Sequence, residues 1–336
     1  MAATIKDVAK RAKVSLGTVS KYLNGIKVKD INKKRIEEAI EELDFNINMM
    51  AKGLKSNRSM TVAVVVSQFY DFYSAAIISE IERYLEKEGY SIITCSYDND
   101  PVKLADKLYY LKKRFIDAVI VFPFRYNKRF VEIIGQFLSE RIPVVFIDHD
   151  VPEVATDKIV VDNVNASFRA VEKFIHSNHR NIAIINGDRE SYASIQRLLG
   201  YKEALKTYGL PLEDKYVKYG DFDYEGGYKA AKELLQNVER PTALYITNYY
   251  MTWGAVFAMH ELDVRVPDDV SIIGFDYFKI SDVIKPALTV VEQPIEMISK
   301  TASELILRRL KGDFKDFPKF CQMNTRMLIQ DSVKKI

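Results

Sequence analysis

The chain has 336 residues, of which 48% are hydrophobic and 28% charged, and a formal net charge of +3. Nothing at its N-terminus resembles a secretion signal, and no apolar run reaches the roughly 18 to 20 residues that a membrane span needs; a membrane protein is excluded and a cytoplasmic location expected. Cys95 and Cys321 are isolated thiols, read as apolar positions in a reducing compartment and not as a disulfide.

The cations are concentrated at one end. Residues 1–60 hold thirteen Lys or Arg against seven Asp or Glu, an excess of six, so the remaining chain sums to −3. A basic head on a mildly acidic body suits phosphate neutralisation, although a lysine-rich surface can also be simply solvated.

Within that head Thr4, followed three residues later by Asp7, forms a near-capping box, and Ile5, Val8, Ala9 and Ala12 share one helical face. Ser15 caps a second helix, with Val19 and Leu23 on one side and Leu16, Gly17 and Lys21 elsewhere; Asn24-Gly25 stops it. A third amphipathic helix is expected from about Asn32 to Leu43. Three short helices with a tight turn between the first two predict a helix-turn-helix, whose second helix normally lies in the DNA major groove.

From Thr61 the pattern alternates strand and helix. Apolar runs at Thr61–Val66, Ser91–Cys95, Ala118–Phe122 and Val144–Ile147 are separated by amphipathic stretches, and the rhythm repeats at Ile182–Ile185, Tyr216–Tyr219, Ala243–Ile246 and Val270–Phe275. Two doubly wound parallel lobes follow. Catalytic chemistry is not indicated: there is no G-x-x-x-x-G-K-[ST] and no G-x-G, and the four histidines lack metal-ligand spacing. No catalytic, cofactor or metal residues are assigned. His149 and His179 read as structural or pocket-lining.

These features, in order, resemble the lac repressor (LacI/GalR) family of bacterial transcription regulators over essentially the whole chain. The resemblance rests on Thr4–Ala9, Val14-Ser15 with Thr18-Val19-Ser20, Leu23-Asn24-Gly25 and Ala51-Lys52-Gly53-Leu54. Further on it rests on Phe146-Ile147-Asp148, Val161-Asp162-Asn163, Arg197 with Gly200-Tyr201, and Gly274-Phe275-Asp276. It implies an all-α helix-turn-helix head (1–46), a hinge helix and linker (47–60), and an α/β two-lobed, periplasmic-binding-protein-like core. The first lobe would span 61–161 and 291–322, the second 162–290 and 323–336.

The resemblance also implies a homodimer on a palindromic operator. DNA contacts are expected from Thr4, Ser15, Leu16, Gly17, Thr18, Ser20, Lys21 and Asn24, and from a hinge comprising Ala51, Lys52, Leu54 and Lys55. Leu54 would wedge into a base step, its alternative being an ordinary linker leucine. Gly17 and Lys13 depart from the family pattern, since Gly17 has no side chain to read a base and Lys13 stands where Gly is common. The chain ends soon after Met327-Leu328-Ile329, without a heptad helix, so a tetramer is not expected.

A small effector, most naturally a sugar or sugar derivative, would bind between the lobes at Asp71, Phe72, Tyr73, Arg125, His149, Tyr192, Arg197, Phe222, Asn248 and Asp276. Arg197 offers donors and Asp276 acceptors to neighbouring hydroxyls, while Phe222 offers a stacking face. An internal Arg197–Asp276 salt bridge is the alternative. Tyr249 and Tyr277 replace acidic residues of the common pattern and make the cleft more aromatic, which favours a glycoside, an oligosaccharide or a planar base over a small polyol. Two other readings remain open: a carbohydrate-binding clamp or carbohydrate-modifying enzyme, and a regulator controlled by a phosphorylated carrier protein.

Overall fold

The computed structural model describes residues 3–23, 26–45, 58–279, 283 and 285–336. Asn24, Ala51, Lys52, Leu54 and Lys55 lie outside the described residues. The chain divides into two compact units, Met1–Ser59 and Met60–Ile336.

In the first unit, α1 (Ile5–Ala12), α2 (Leu16–Leu23) and α3 (Asp30–Glu42) enclose a small core. Val8, Val19 and Ile36, one from each helix, are fully buried there, with Ala9, Ala12 and Ala39 filling the gaps. Such a core is thin, so the helix ends contribute a large share of the stability. Asp7 accepts hydrogen bonds from the Thr4 backbone N–H at 2.8 Å and from its hydroxyl at 2.6 Å, and these hold the Asp7 carboxyl below its usual range. Ser15 Oγ accepts from the Thr18 N–H at 3.2 Å and starts α2.

Between α1 and α2 the chain reverses through Lys13, which is left-handed (φ 53°, ψ 43°), while Val14 N–H bonds back to the Ala9 carbonyl at 3.1 Å. A Cβ costs about 1 kcal/mol in this conformation.

The second unit contains two six-stranded sheets. In the first, β1 (Thr61–Val66), β2 (Ser91–Ser96), β3 (Ala118–Val121), β4 (Val144–Ile147) and β5 (Asp157–Val161) run parallel. They alternate with α4 (Phe72–Glu86), α5 (Pro101–Lys112) and α6 (Lys128–Ser139). The second sheet is built from β6 (Ile182–Asn186), β7 (Val217–Tyr219), β8 (Ala243–Ile246), β9 (Ser271–Phe275) and β10 (Thr289–Glu292). Its helices are α7 (Asn163–His176), α8 (Tyr192–Thr207), α9 (Tyr224–Leu235) and α10 (Tyr249–Glu261).

After β10 the chain returns through α11 (Ile295–Leu310) to the first sheet, where β11 (Phe320–Met323) pairs with β5 in parallel. It then closes the second sheet with β12 (Arg326–Leu328), antiparallel to β10. The lobes are therefore joined after Val161, Glu292 and Met323. Ladder pairing carries β10 through Glu292 and β11 through Met323.

The strands read as near-continuous apolar runs because both faces are covered: β3, β4, β6, β8 and β9 are buried throughout. Helix α8 lies tightly on α7 because a Cβ at Gly200 would sit 2.1 Å from the Val164 carbonyl oxygen. Cys95 and Cys321 are half-buried free thiols. No described helix is long and apolar enough to cross a membrane.

Replacing Lys13 with Gly removes the left-handed penalty. The Lys13→Gly variant should stabilise the head by about 0.5–1 kcal/mol, visible as slower amide exchange in α1 and α2; faster exchange would contradict the reading of that turn.

Candidate functional site

The first candidate surface is the outer face of α2. Leu16 is 42% exposed, and Ser15, Gly17 and Lys21 are also exposed, as is Thr4 at the start of α1. Thr18 and Ser20 are half-buried, and Thr18 Oγ1 is 2.8 Å from Ser15 Oγ, so part of its polar capacity is used for capping. A Cβ on Gly17 would meet nothing closer than Ser15 Oγ at 3.8 Å. Packing does not require glycine here. Within about a turn and a half the helix thus exposes an apolar side chain, a bare stretch of backbone and an ammonium group.

The second candidate is a cavity of about 520 Å³ between the lobes, at the carboxyl ends of the parallel strands. The first strand of each sheet feeds it differently. Beyond β1, Asp71 caps α4 by accepting from the Tyr73 and Ser74 N–H groups. Beyond β6 comes Gly187, where a Cβ would lie 2.2 Å from the Phe222 ring, so only a glycine lets that ring settle against the strand end. Asn248 caps α10 in the same manner as Asp71 caps α4.

Arg197 is buried within α8 at 3% exposure. Its Nε donates to Asn163 Oδ1 at 2.8 Å and its Nη1 to the Thr247 carbonyl at 2.6 Å, while its guanidinium lies 3.7 Å from the Phe275 ring centroid. Asp276 accepts from Gln293 Nε2 at 2.6 Å. The expected alternative of a direct Arg197–Asp276 salt bridge is therefore not what positions either residue.

The two fourth strands end alike. Asp148 after β4 and Asp276 after β9 both adopt left-handed backbone conformations, with φ of 63° and 72°. Burial raises Asp148 to about 7 and Asp276 to about 6, with Arg197 opposing the rise and neighbouring carboxylates adding to it. Asp71 is raised for the same reason of burial. His149 is pushed down to about 4 by burial and is neutral at pH 7.

Of the residues expected from the sequence, Asp71, Tyr73, His149, Arg197, Phe222, Asn248 and Asp276 line the cavity. Phe72, Arg125 and Tyr192 do not. Phe72 turns outward at the start of α4 into a ring cluster with Tyr249, Tyr250, Trp253 and Phe278, and its N–H donates to Tyr249 Oη at 3.0 Å. Arg125 is drawn into an ion pair with Asp188 across the lobes. Tyr192 packs behind the cavity wall, its ring centroid 5.5 Å from that of His149. The sequence reading passed over Asp148 and Gln293 as site residues. Asp148 carried a usable signal, since Phe146-Ile147-Asp148, like Gly274-Phe275-Asp276, ends an apolar run on an aspartate.

Comparison with known proteins bears on both surfaces. A family model described as bacterial regulatory proteins, lacI family, matches residues 4–48, and one for a periplasmic binding protein-like domain matches residues 171–333. The chain is 30% identical over 335 residues to the HTH-type transcriptional repressor PurR of Aliivibrio salmonicida, covering 99% of this chain and 100% of that one. Among solved structures, a transcriptional regulator CelR–cellobiose complex is 26% identical with a TM-score of 0.75, covering 98% of this chain and 100% of that one. A lac repressor dimer bound to operator and the anti-inducer ONPF is 21% identical with a TM-score of 0.89, covering 99% and 100%, and shares the fold.

The raised carboxyls have a stability consequence. An acid whose folded value exceeds its ordinary 3.8 takes up a proton on folding between those two values. Its effect is nil below about pH 4 and increasingly destabilising as pH rises through 6 to 7. Asp148→Asn should therefore raise the unfolding free energy at pH 8 by about 2 kcal/mol, allowing for partial access of solvent from the cleft, and flatten its fall between pH 5 and 8. Denaturant titrations across that range check it; a variant less stable than the parent at pH 8 would refute the assignment.

Proposed function

This chain belongs to the lacI family of bacterial regulatory proteins, and from that premise we propose a transcription repressor whose hold on its operator is set by a sugar bound between the two core lobes. The observation that carries the proposal is one chain combining a capped helix-turn-helix with an exposed α2 face and a cleft, built from both lobes, in which polar and charged side chains stand among apolar surface. Each half would do little alone. A short recognition helix covers only a few base pairs, so specific binding calls for two heads on two half-sites and hence a homodimer on a palindromic operator.

On the DNA side, Leu16 meets thymine methyls, Lys21 donates to guanine or to a phosphate, and Gly17 lets the backbone come close. Thr4, Ser15, Thr18, Ser20 and Asn24 supply polar contacts to phosphates and base edges. Leu54 is assigned the minor-groove wedge, and Ala51, Lys52 and Lys55 further contacts to the same groove. The basic head steers the encounter and makes binding sensitive to salt.

On the ligand side, Phe222 presents a ring face to the apolar side of a sugar, and Arg197, Asn248 and Asp276 supply directional polar contacts. The similarity to a cellobiose-bound regulator supports the same class of ligand. The effector acts through its preference for one arrangement of the lobes, a coupling of about 1–3 kcal/mol in typical cases. The curated relatives are repressors, and no catalytic residue is assigned.

Two experiments test the proposal. Lys21→Ala should weaken operator binding and, where Lys21 holds a phosphate, lower the slope of log affinity against log salt by about 1; Leu54→Ala should weaken it while leaving effector binding unchanged. Unchanged operator affinity in both would remove the DNA interface. Thermal unfolding of the full chain against free sugars, glycosides, sugar phosphates and nucleobases should give one chemical class that stabilises by about 2.7 kcal/mol at 100 times its dissociation constant, and Asp276→Ala should abolish the shift.

A further inference from the structure

The cleft is unbalanced in both charge and hydrogen bonding. Its lining includes Asp71, Asp148 and Asp276 together with the exposed Asp221, Asp223 and Glu225, against one guanidinium, that of Arg197; no lysine lines it among the described residues. Arg197 already spends Nε and Nη1 on Asn163 and Thr247. Two of its five N–H donors are thus taken, and its single positive charge is outnumbered by the carboxylates around it.

The unpartnered atoms point the same way. Gln293 Oε1 and Tyr73 Oη, in side chains only 6% and 7% exposed, line the cleft without hydrogen-bond partners, as do Asp148 Oδ1 and Asn99 Oδ1. The amide oxygens of Gln293 and Asn99 only accept, the ionised Asp148 carboxylate accepts, and the tyrosine hydroxyl can do either. Buried acceptors need donors from the ligand. Hydroxyl groups supply donors without charge. A phosphate or carboxylate supplies acceptors and negative charge, and would stand against the same carboxylates in a site partly closed to water.

We infer that the cleft takes the free, uncharged form of its sugar or glycoside and excludes the phosphorylated or carboxylated form. The inference rests on the sugar reading of this cleft and deepens it. It also places the signal in a reaction sequence: the effector is the species present before a kinase acts on it, or one released by hydrolysis of a glycoside. A sugar that enters already phosphorylated would not be sensed until its phosphate had been removed.

The test uses the full chain and matched pairs, each a mono- or disaccharide with its own phosphate ester, by calorimetry. In a parallel titration, inorganic phosphate is added while the methyl signals of Ile147 and Ala193, both in the lining, are followed by NMR. The expected result is a free sugar that binds and an ester at least 100-fold weaker, with no saturable phosphate shift. Combining Asp221→Asn with Glu225→Gln should narrow that gap at least threefold. An ester binding as tightly as its parent, saturable cleft shifts with phosphate, or a gap unmoved by the double variant would each overturn the inference. If no member of any pair binds and phosphate also fails to shift the methyls, the sugar reading fails while the exclusion of anions stands.

Discussion

The ligand-binding unit depends on one buried cation. Arg197 sits among Asp148, Asp276 and the ring of Phe275, and its charge restrains the upward drift of both carboxyls. Without it the strand ends of the two lobes would bring uncompensated acids together in a space poor in water, at a cost of several kcal/mol. Its geometry is set by Asn163, just beyond the first crossing between lobes, and by the Thr247 carbonyl at the end of β8. The same residue that makes the acidic cleft tolerable is thereby anchored to a crossing and to a core strand.

The head solves a different problem. Among the described residues only six small or medium side chains are buried in it, with larger ones half-buried around them, and Thr4, Asp7 and Ser15 secure the helix starts through local hydrogen bonds. Lys13 accepts backbone strain at the turn and leaves its side chain exposed. This exchanges a fraction of stability for a cation in a region already rich in them, consistent with a surface that must meet phosphates.

Much of this was legible in the sequence because it rests on local rules. The capping signals at Thr4 and Ser15, the 3.6-residue spacing of Ile5, Val8 and Ala12, and the apolar strand runs each follow from nearest-neighbour physics. The family resemblance then placed seven cleft residues that the structure brings together. Phe72, Arg125 and Tyr192, also expected there, do not line the cleft because their orientations are decided by partners distant in the chain: Tyr249 and Trp253 for Phe72, Asp188 for Arg125, His149 for Tyr192. Asp148 was passed over for another reason. Its importance lies in burial without a full set of partners, which only the packed lobes reveal.

The bond between Asp276 and Gln293 joins the cleft to the second crossing, since Gln293 is the first residue after β10 and precedes the Pro294 that opens α11. A ligand hydroxyl that takes Asp276 Oδ1 as its acceptor must share it with that amide or displace it. Either way the occupant competes with a side chain of the connector, and the segment that passes between lobes registers the presence of ligand through the Gln293 amide. Occupancy and lobe geometry then become two readings of one three-centre contact, so a substitution at Gln293 should alter the response to a ligand as well as its binding.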